Sequence, residues 1–377
     1  MKSKIPTDNR KAIKRGVAAI AALASLTLIT GCSSIADPTG SPSQSPSQTP
    51  IVYDTAPLTG VKYVQGSNPA LAGPSVACKV DNLDVARPQV NLNQTDIVFD
   101  EMVEGGLTRF VAVFHSHMPT QAGPVRSIRP MDPDIISPFG GIVCYSGGQL
   151  KFVKLMKATN VFNANETEEV GKGTFTRVHD REAPHNVIVN IGKLQAAHPD
   201  LAPPSPMFKF AGDASGATTS LWGAPVTSLK VYFPSALAQW TPSADGTQWL
   251  RTQDGKVDTD AATGEQIHAT NVVVLQVAID RQYGYVPKTV MVSSGKAWVL
   301  TGGQYIEATW SKASQTAPIE LIFDPSSVKS QVKAPIQPVL LAPGNTWVEL
   351  MPKGPEGSMK LLSAPKILVP PTPPTTK

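Results

Sequence analysis

Ile97-Val98-Phe99-Asp100-Glu101-Met102-Val103-Glu104-Gly105-Gly106-Leu107-Thr108-Arg109-Phe110-Val111-Ala112-Val113-Phe114 is the stretch on which the fold turns. Two runs rich in β-branched and aromatic residues flank a Gly-Gly pair, the pattern of an antiparallel hairpin with strands over 97–103 and 107–114. A two-residue turn at Gly105-Gly106 sets Glu104 opposite Leu107 and Met102 opposite Arg109. Alternation then gives one face to Asp100, Met102, Glu104 and Arg109. The other face carries Ile97, Phe99, Glu101 and Val103 against Thr108, Phe110, Ala112 and Phe114. Glu101 is thereby expected among apolar neighbours, where desolvation raises a carboxyl pKa unless a cation answers it. That environment suits a general acid, and equally a carboxylate paired with a buried arginine for structure alone.

Polar residues gather on either side of this hairpin. Upstream, Asp81-Asn82 closes an earlier strand and Ala86-Arg87-Pro88-Gln89 follows it. Downstream comes Gly123-Pro124-Val125-Arg126-Ser127-Ile128-Arg129-Pro130. One helical turn over 125–129 would project Arg126 and Arg129 from the same side. Such a guanidinium pair suits a phosphate or carboxylate, or ion pairs with Asp132, Asp134 and the hairpin acids. A third segment, 175–186, brings Arg181 and His185. His185 titrates in the range useful for acid–base work, although a lone histidine also serves as a plain hydrogen-bonding residue. The candidate catalytic residues are therefore Glu101, Asp81 and His185, and the candidate anion-binding residues Arg87, Arg109, Arg126, Arg129 and Arg181. G-x-S-x-G, the P-loop, G-x-G-x-x-G and H-E-x-x-H are all absent. His115-Ser116-His117 shows no third ligand, so neither a metal nor a cofactor is expected.

The chain opens with a basic zone (Lys2, Lys4, Arg10, Lys11, Lys14, Arg15) and an apolar run over 16–29, too short to span a bilayer. Leu28-Ile29-Thr30-Gly31-Cys32 resembles the bacterial lipobox. That resemblance implies signal cleavage after residue 31, diacylglycerol on the Cys32 thiol, and acylation of the new amino group by a fatty acid such as palmitate. The expected location is the extracytoplasmic face of a bacterial cell membrane, with membrane lipid as the first partner. The whole chain has 33 basic and 29 acidic residues. Loss of the signal removes six of the former and one of the latter, which leaves the mature protein close to neutral. A nucleic-acid partner, which requires a basic face, is thereby excluded. Cys78 and Cys144 remain, and an oxidising compartment permits a disulfide between them. Two buried free thiols are the alternative.

Composition divides the rest. Residues 32–58 form a Ser/Pro tether, reaching roughly 30 Å on average if flexible. Residues 59–213 mix short strands with a helix near Phe152-Val153-Lys154-Leu155-Met156-Lys157. Residues 214–354 repeat short strands (229–233, 271–278, 289–292, 297–300, 318–323) between turn signals such as Asp254-Gly255 and Gly302-Gly303. Residues 355–377 read as a disordered Pro/Thr tail. The fold class expected is α+β: a mixed α/β N-terminal domain followed by a β-rich C-terminal domain.

In this order, several segments resemble the YerB-like lipoproteins, a bacterial family built around a domain of unknown function. They are Lys79-Val80-Asp81-Asn82, Ala86-Arg87-Pro88-Gln89, Asp96-Ile97-Val98-Phe99-Asp100-Glu101, Val103-Glu104-Gly105-Gly106-Leu107-Thr108-Arg109-Phe110, the 123–130 run, Ala183-Pro184-His185-Asn186, Thr263-Gly264, the 269–274 run and Pro343-Gly344-Asn345-Thr346-Trp347. The resemblance covers about residues 60–352. It implies an α+β first domain, a second domain and a lipid anchor, and it supplies no reaction. Cys78 and Cys144 depart from it, because the family is usually simply apolar at those positions. Three functions stay open: a binder of an anionic envelope component (peptidoglycan, a phosphorylated glycan or a lipid-linked precursor), an envelope hydrolase or transferase, and a structural partner of a membrane complex. The strand–arginine–strand order is similar to that of the LytR-CpsA-Psr phosphotransferases, but their motifs are not matched.

Overall fold

The computed structural model describes residues 50–327 and 335–363. The expected signal, the expected lipidation site Cys32, most of the expected tether, residues 328–334 and those beyond 363 lie outside the described residues.

Three strands, Val76–Asp81, Ile97–Met102 and Thr108–Phe114, are buried at every position. Strands buried on both sides belong to a sheet covered on both faces. Among the described residues that sheet has thirteen strands. From one edge, its main path runs Gln337–Pro338, Glu320–Phe323, Gln304–Ser311, Ser294–Thr301, Asn271–Asp280, Thr346–Pro352, Ile97–Met102, Thr108–Phe114, Val76–Asp81, Ile142–Tyr145 and Phe162–Asn165. Strands from both sequence halves thus share one sheet, and the described residues from Ile51 onward form one compact unit. The expected break near residue 213 does not interrupt it. The late strand Thr346–Pro352 is buried at all seven positions. It satisfies its backbone by lying parallel between Asn271–Asp280 on one side and Ile97–Met102 on the other. The protein is sheet-rich; the helices Asp132–Ile136, Leu150–Lys157 and Ile191–Ala196 fall in the earlier half and a short one, Thr218–Trp222, in the later.

A six-stranded sheet that includes Ser228–Phe233, Ala236–Pro242 and Trp249–Gln253 covers one face. Its Leu229, Val231 and Trp240 pack in one core with Val98, Phe110, Ala112, Val272 and Trp347. The opposite face buries Phe99, Val111, Val113 and Val273 with Ile135, Phe152 and Met156 from two of the helices. Asp254-Gly255 and Gly302-Gly303 form the turns their chemistry foretells, all four residues having positive φ.

Three expectations need correction. The hairpin loop holds three residues, because Val103 N donates to Leu107 O and both Gly105 and Gly106 take positive φ. The register becomes Glu101 opposite Arg109 and Met102 opposite Thr108. That one-residue slip exchanges faces, so Arg109 joins Glu101 rather than Asp100. Secondly, the supposed tail contributes a strand, Ser358–Leu362, paired with Ser228–Phe233. At the other end, Tyr53–Thr55 pairs with Lys62–Val64, and Ala56 and Leu58 are buried, so the end of the tether is folded. Thirdly, residues 125–129 make no helical turn. The segment is extended along Val76–Asp81, with Asp81 N donating to Pro124 O and Arg126 N to Lys79 O, because backbone donors at the end of a buried strand need partners.

Candidate functional site

The Val76–Asp81, Ile97–Met102 and Thr108–Phe114 strands align Asp81, Arg109 and Glu101 in one row across the sheet. Asp81 is fully buried, and both of its oxygens have partners. Oδ1 takes the Leu83 N–H at 3.2 Å. Oδ2 lies 2.9 Å from Arg126 Nε and 2.6 Å from His185 Nδ1. The extended 123–130 segment also delivers Arg129, whose Nε donates to Glu104 Oε2 at 2.8 Å. Arg109 points into the same place and donates to the Ser127 carbonyl at 3.2 Å. Three guanidiniums therefore face two carboxylates, Asp81 and Glu104.

Burial, reinforced by the charges of Arg129 and Arg126, pushes the Arg109 guanidinium down to about 10 despite Asp81 and Glu104. Burial pushes the Glu104 carboxyl up, but the hydrogen bond and charge of Arg129 prevail and hold it below its ordinary value. Arg109, Arg129, Glu104, Thr108, Gln149 and Tyr285 line an open cavity of about 340 Å³.

A second opening, of about 590 Å³, is lined by Arg87, Pro88, Arg181 and His185. Its arginines are engaged. Arg181 donates from both amino groups to the carbonyls of Ala86 and Pro88, at 2.7 and 2.5 Å. Arg87 pairs with Asp254 at 3.1 Å and with Asp84 at 3.5 Å. Arg181 thus ties the loop that carries His185 to the loop that carries Arg87.

Glu101 lies beneath this surface, fully buried and in direct contact with the Lys79 ammonium. Asp132 is 2.9 Å from the same ammonium. Burial and the Asp132 charge push the Glu101 carboxyl up to about 8, against the pull of Lys79. The cation that answers Glu101 is therefore a lysine on the neighbouring buried strand. Lys79 was visible as a lone charge within an apolar run, but its partners were not.

The opposite face holds an ionic cluster that the sequence did not suggest. Arg251 donates to Asp100 at 2.9 Å and to Gln253 at 2.6 Å, and also contacts Asp258. Its guanidinium lies 4.9 Å from the Trp347 ring centre and 5.1 Å from that of Phe110. Glu349 accepts from Trp240 Nε1 at 2.8 Å. The one available signal was an arginine at a core-facing position of Trp249–Gln253, where residues alternate between buried and half-buried.

Cys78 and Cys144 are disulfide-bonded, directly opposite each other on adjacent parallel strands with Cα atoms 4.6 Å apart. His115 is buried with Nε2 3.2 Å from Gly73 O. No group of three or more His, Cys, Asp or Glu among the described residues is arranged to hold a metal ion.

Residues 58–203 match the protein of unknown function (DUF3048) N-terminal domain, and residues 229–348 match its C-terminal domain. The chain belongs to the YerB-like family. YerB of Bacillus subtilis (strain 168), whose name describes it as a lipoprotein, is 27% identical over 332 residues, covering 82% of this chain and 91% of YerB. The crystal structure of the YerB protein from Bacillus subtilis superposes with a TM-score of 0.66 at 25% identity, covering 81% of this chain and 99% of that one. No helix among the described residues is long and apolar enough to cross a membrane.

Proposed function

We propose that this protein is an extracytoplasmic lipoprotein, held to the cell membrane by lipid on Cys32, whose folded part binds an anionic cell-envelope component. Peptidoglycan, a phosphorylated glycan and a lipid-linked precursor are the candidate ligands. The Gly31-Cys32 lipobox and the name of the Bacillus relative support the anchor. The observation that carries the binding function is the unbalanced cluster of Arg109, Arg126 and Arg129 against Asp81 and Glu104. Buried charge is costly unless paired, and Arg109 has no carboxylate within ion-pair distance among the described residues. A phosphate or carboxylate in the 340 Å³ cavity would supply the missing negative charge.

Pull-down of the full chain with purified cell wall, and with a phosphorylated glycan, tests this reading. Wild-type protein should be retained, with retention falling about tenfold or more for R109Q. Equal recovery of wild type and R109Q, or no retention of either, would sink it.

A further inference from the structure

One oxygen of Asp81 serves two side chains of different chemistry. His185 Nδ1 is 2.6 Å from Oδ2, and Arg126 Nε is 2.9 Å from the same atom. The carboxylate is fully buried and its other oxygen is taken by the Leu83 N–H. It therefore fixes the imidazole with Nδ1 turned inward, leaving Nε2 as the ring nitrogen free to exchange a proton. A carboxylate that orients a histidine in this way is the arrangement used for general-base catalysis. His185 lines the 590 Å³ opening, so the base is within reach of a ligand. Arg126 is 16% exposed and its Nε, although within ion-pair distance of Asp81, has no hydrogen-bond partner among the described residues, so its guanidinium can hold an anionic group. Arg181 anchors the 180–186 segment to the backbone of Ala86 and Pro88, which keeps the base in place.

We infer that this site hydrolyses a phosphodiester. The inference rests on the anion-binding reading above. Arg126 holds a non-bridging phosphoryl oxygen. His185 Nε2 takes a proton from water as the water oxygen forms its bond to phosphorus. The bond from phosphorus to the leaving oxygen breaks, its electron pair stays on that oxygen, and the imidazolium returns the proton to it. One water is consumed, and the products are an alcohol and a phosphomonoester. His185 is the catalytic residue. Asp81 is a positioning residue that fixes the ring and the guanidinium together.

Two measurements on the full chain test this: turnover of the chromogenic phosphodiester bis(p-nitrophenyl) phosphate, and calorimetric binding of orthophosphate. The wild type should release p-nitrophenolate above the buffer blank. H185Q should lose about a hundredfold or more of that rate while still binding orthophosphate. H185A should be partly rescued by added imidazole, a response that a purely structural histidine would not give. Binding of orthophosphate without turnover overturns the hydrolysis and leaves the binding function standing. Absence of both overturns both. Turnover by H185Q at the wild-type rate overturns the assignment of the base.

Discussion

Asp100 and Glu349 stand directly opposite each other on neighbouring parallel strands, both fully buried, although 249 positions separate them in the sequence. Burial pushes both carboxyls up. For Asp100 the adjacent Glu349 adds to the rise, while Arg251 opposes it on both. With Asp258, three carboxylates surround the single guanidinium of Arg251. This cluster joins the first strand of the early hairpin to the six-stranded sheet.

Removing its cation should be severe. Arg251→Met leaves the carboxylates buried without a counter-charge and is expected to cost about 3–5 kcal/mol. Urea denaturation at neutral pH would measure this. A loss under about 1 kcal/mol would show that the cluster relieves its own charge by other means.

On the other face, Glu101 supplies a pH dependence. Its folded pKa of about 8 stands above the ordinary 4.5. The folded state therefore holds a proton that the unfolded chain releases, so its contribution is complete below about 4.5 and disappears as pH rises through about 8. E101Q removes this titration. The stability of wild type relative to E101Q should decline steadily across that interval in urea midpoints. A difference that stays flat, or grows with pH, would contradict the environment described for Glu101.

The disulfide closes a loop between residues separated by 66 positions. Loop-closure entropy for that length is about 4 kcal/mol. Reduction is expected to cost between about 2 and 4 kcal/mol, seen as a lower urea midpoint in dithiothreitol.

Gly344 has φ of +145°, and a Cβ there would fall 2.1 Å from Thr270 Oγ1. The neighbouring Asn345 accepts from Thr270 N and donates to His268 O, both at 2.9 Å. Gly344→Ala must displace this contact at the entrance to the central strand Thr346–Pro352. A loss of about 2 kcal/mol or more is expected in thermal or urea unfolding.

Anions should stabilise the protein through Arg109. At constant ionic strength, replacing chloride by phosphate should raise the melting temperature of the wild type, because a ligand of the folded state shifts the equilibrium. R109Q should gain less than half of that shift. Identical gains would mean that phosphate acts only through its general effect on solvent.

Much of the candidate site was legible as residue types. Asp81, Arg109, Arg126 and His185 were all marked by dense polar segments, and the structure brings them together. Arg126 and Arg129 do not project from one helical turn, because their segment runs extended along a strand. Glu101 was marked for its apolar surroundings, and Lys79 and Asp132 share its burial. Arg87 and Arg181 were grouped with the other arginines, although their hydrogen bonds go to Asp254, Asp84 and two backbone carbonyls. Sequence could not distinguish these fates, since an arginine's partner is set by whichever acid or carbonyl the fold brings near.

The sequence by itself determined the local elements: alternating runs that make strands, Asp254-Gly255 and Gly302-Gly303 as turns, and the helix around Phe152–Met156. These follow from backbone preferences and side-chain periods over a few residues, which act wherever the chain is placed. The tertiary structure alone decided the hairpin register, the insertion of Thr346–Pro352 beside Ile97–Met102, and the meeting of Asp100 with Arg251 across 151 positions. Those outcomes depend on which buried surfaces and buried charges can satisfy one another at once. No local pattern records such a match, because both partners must be desolvated together before either gains from it.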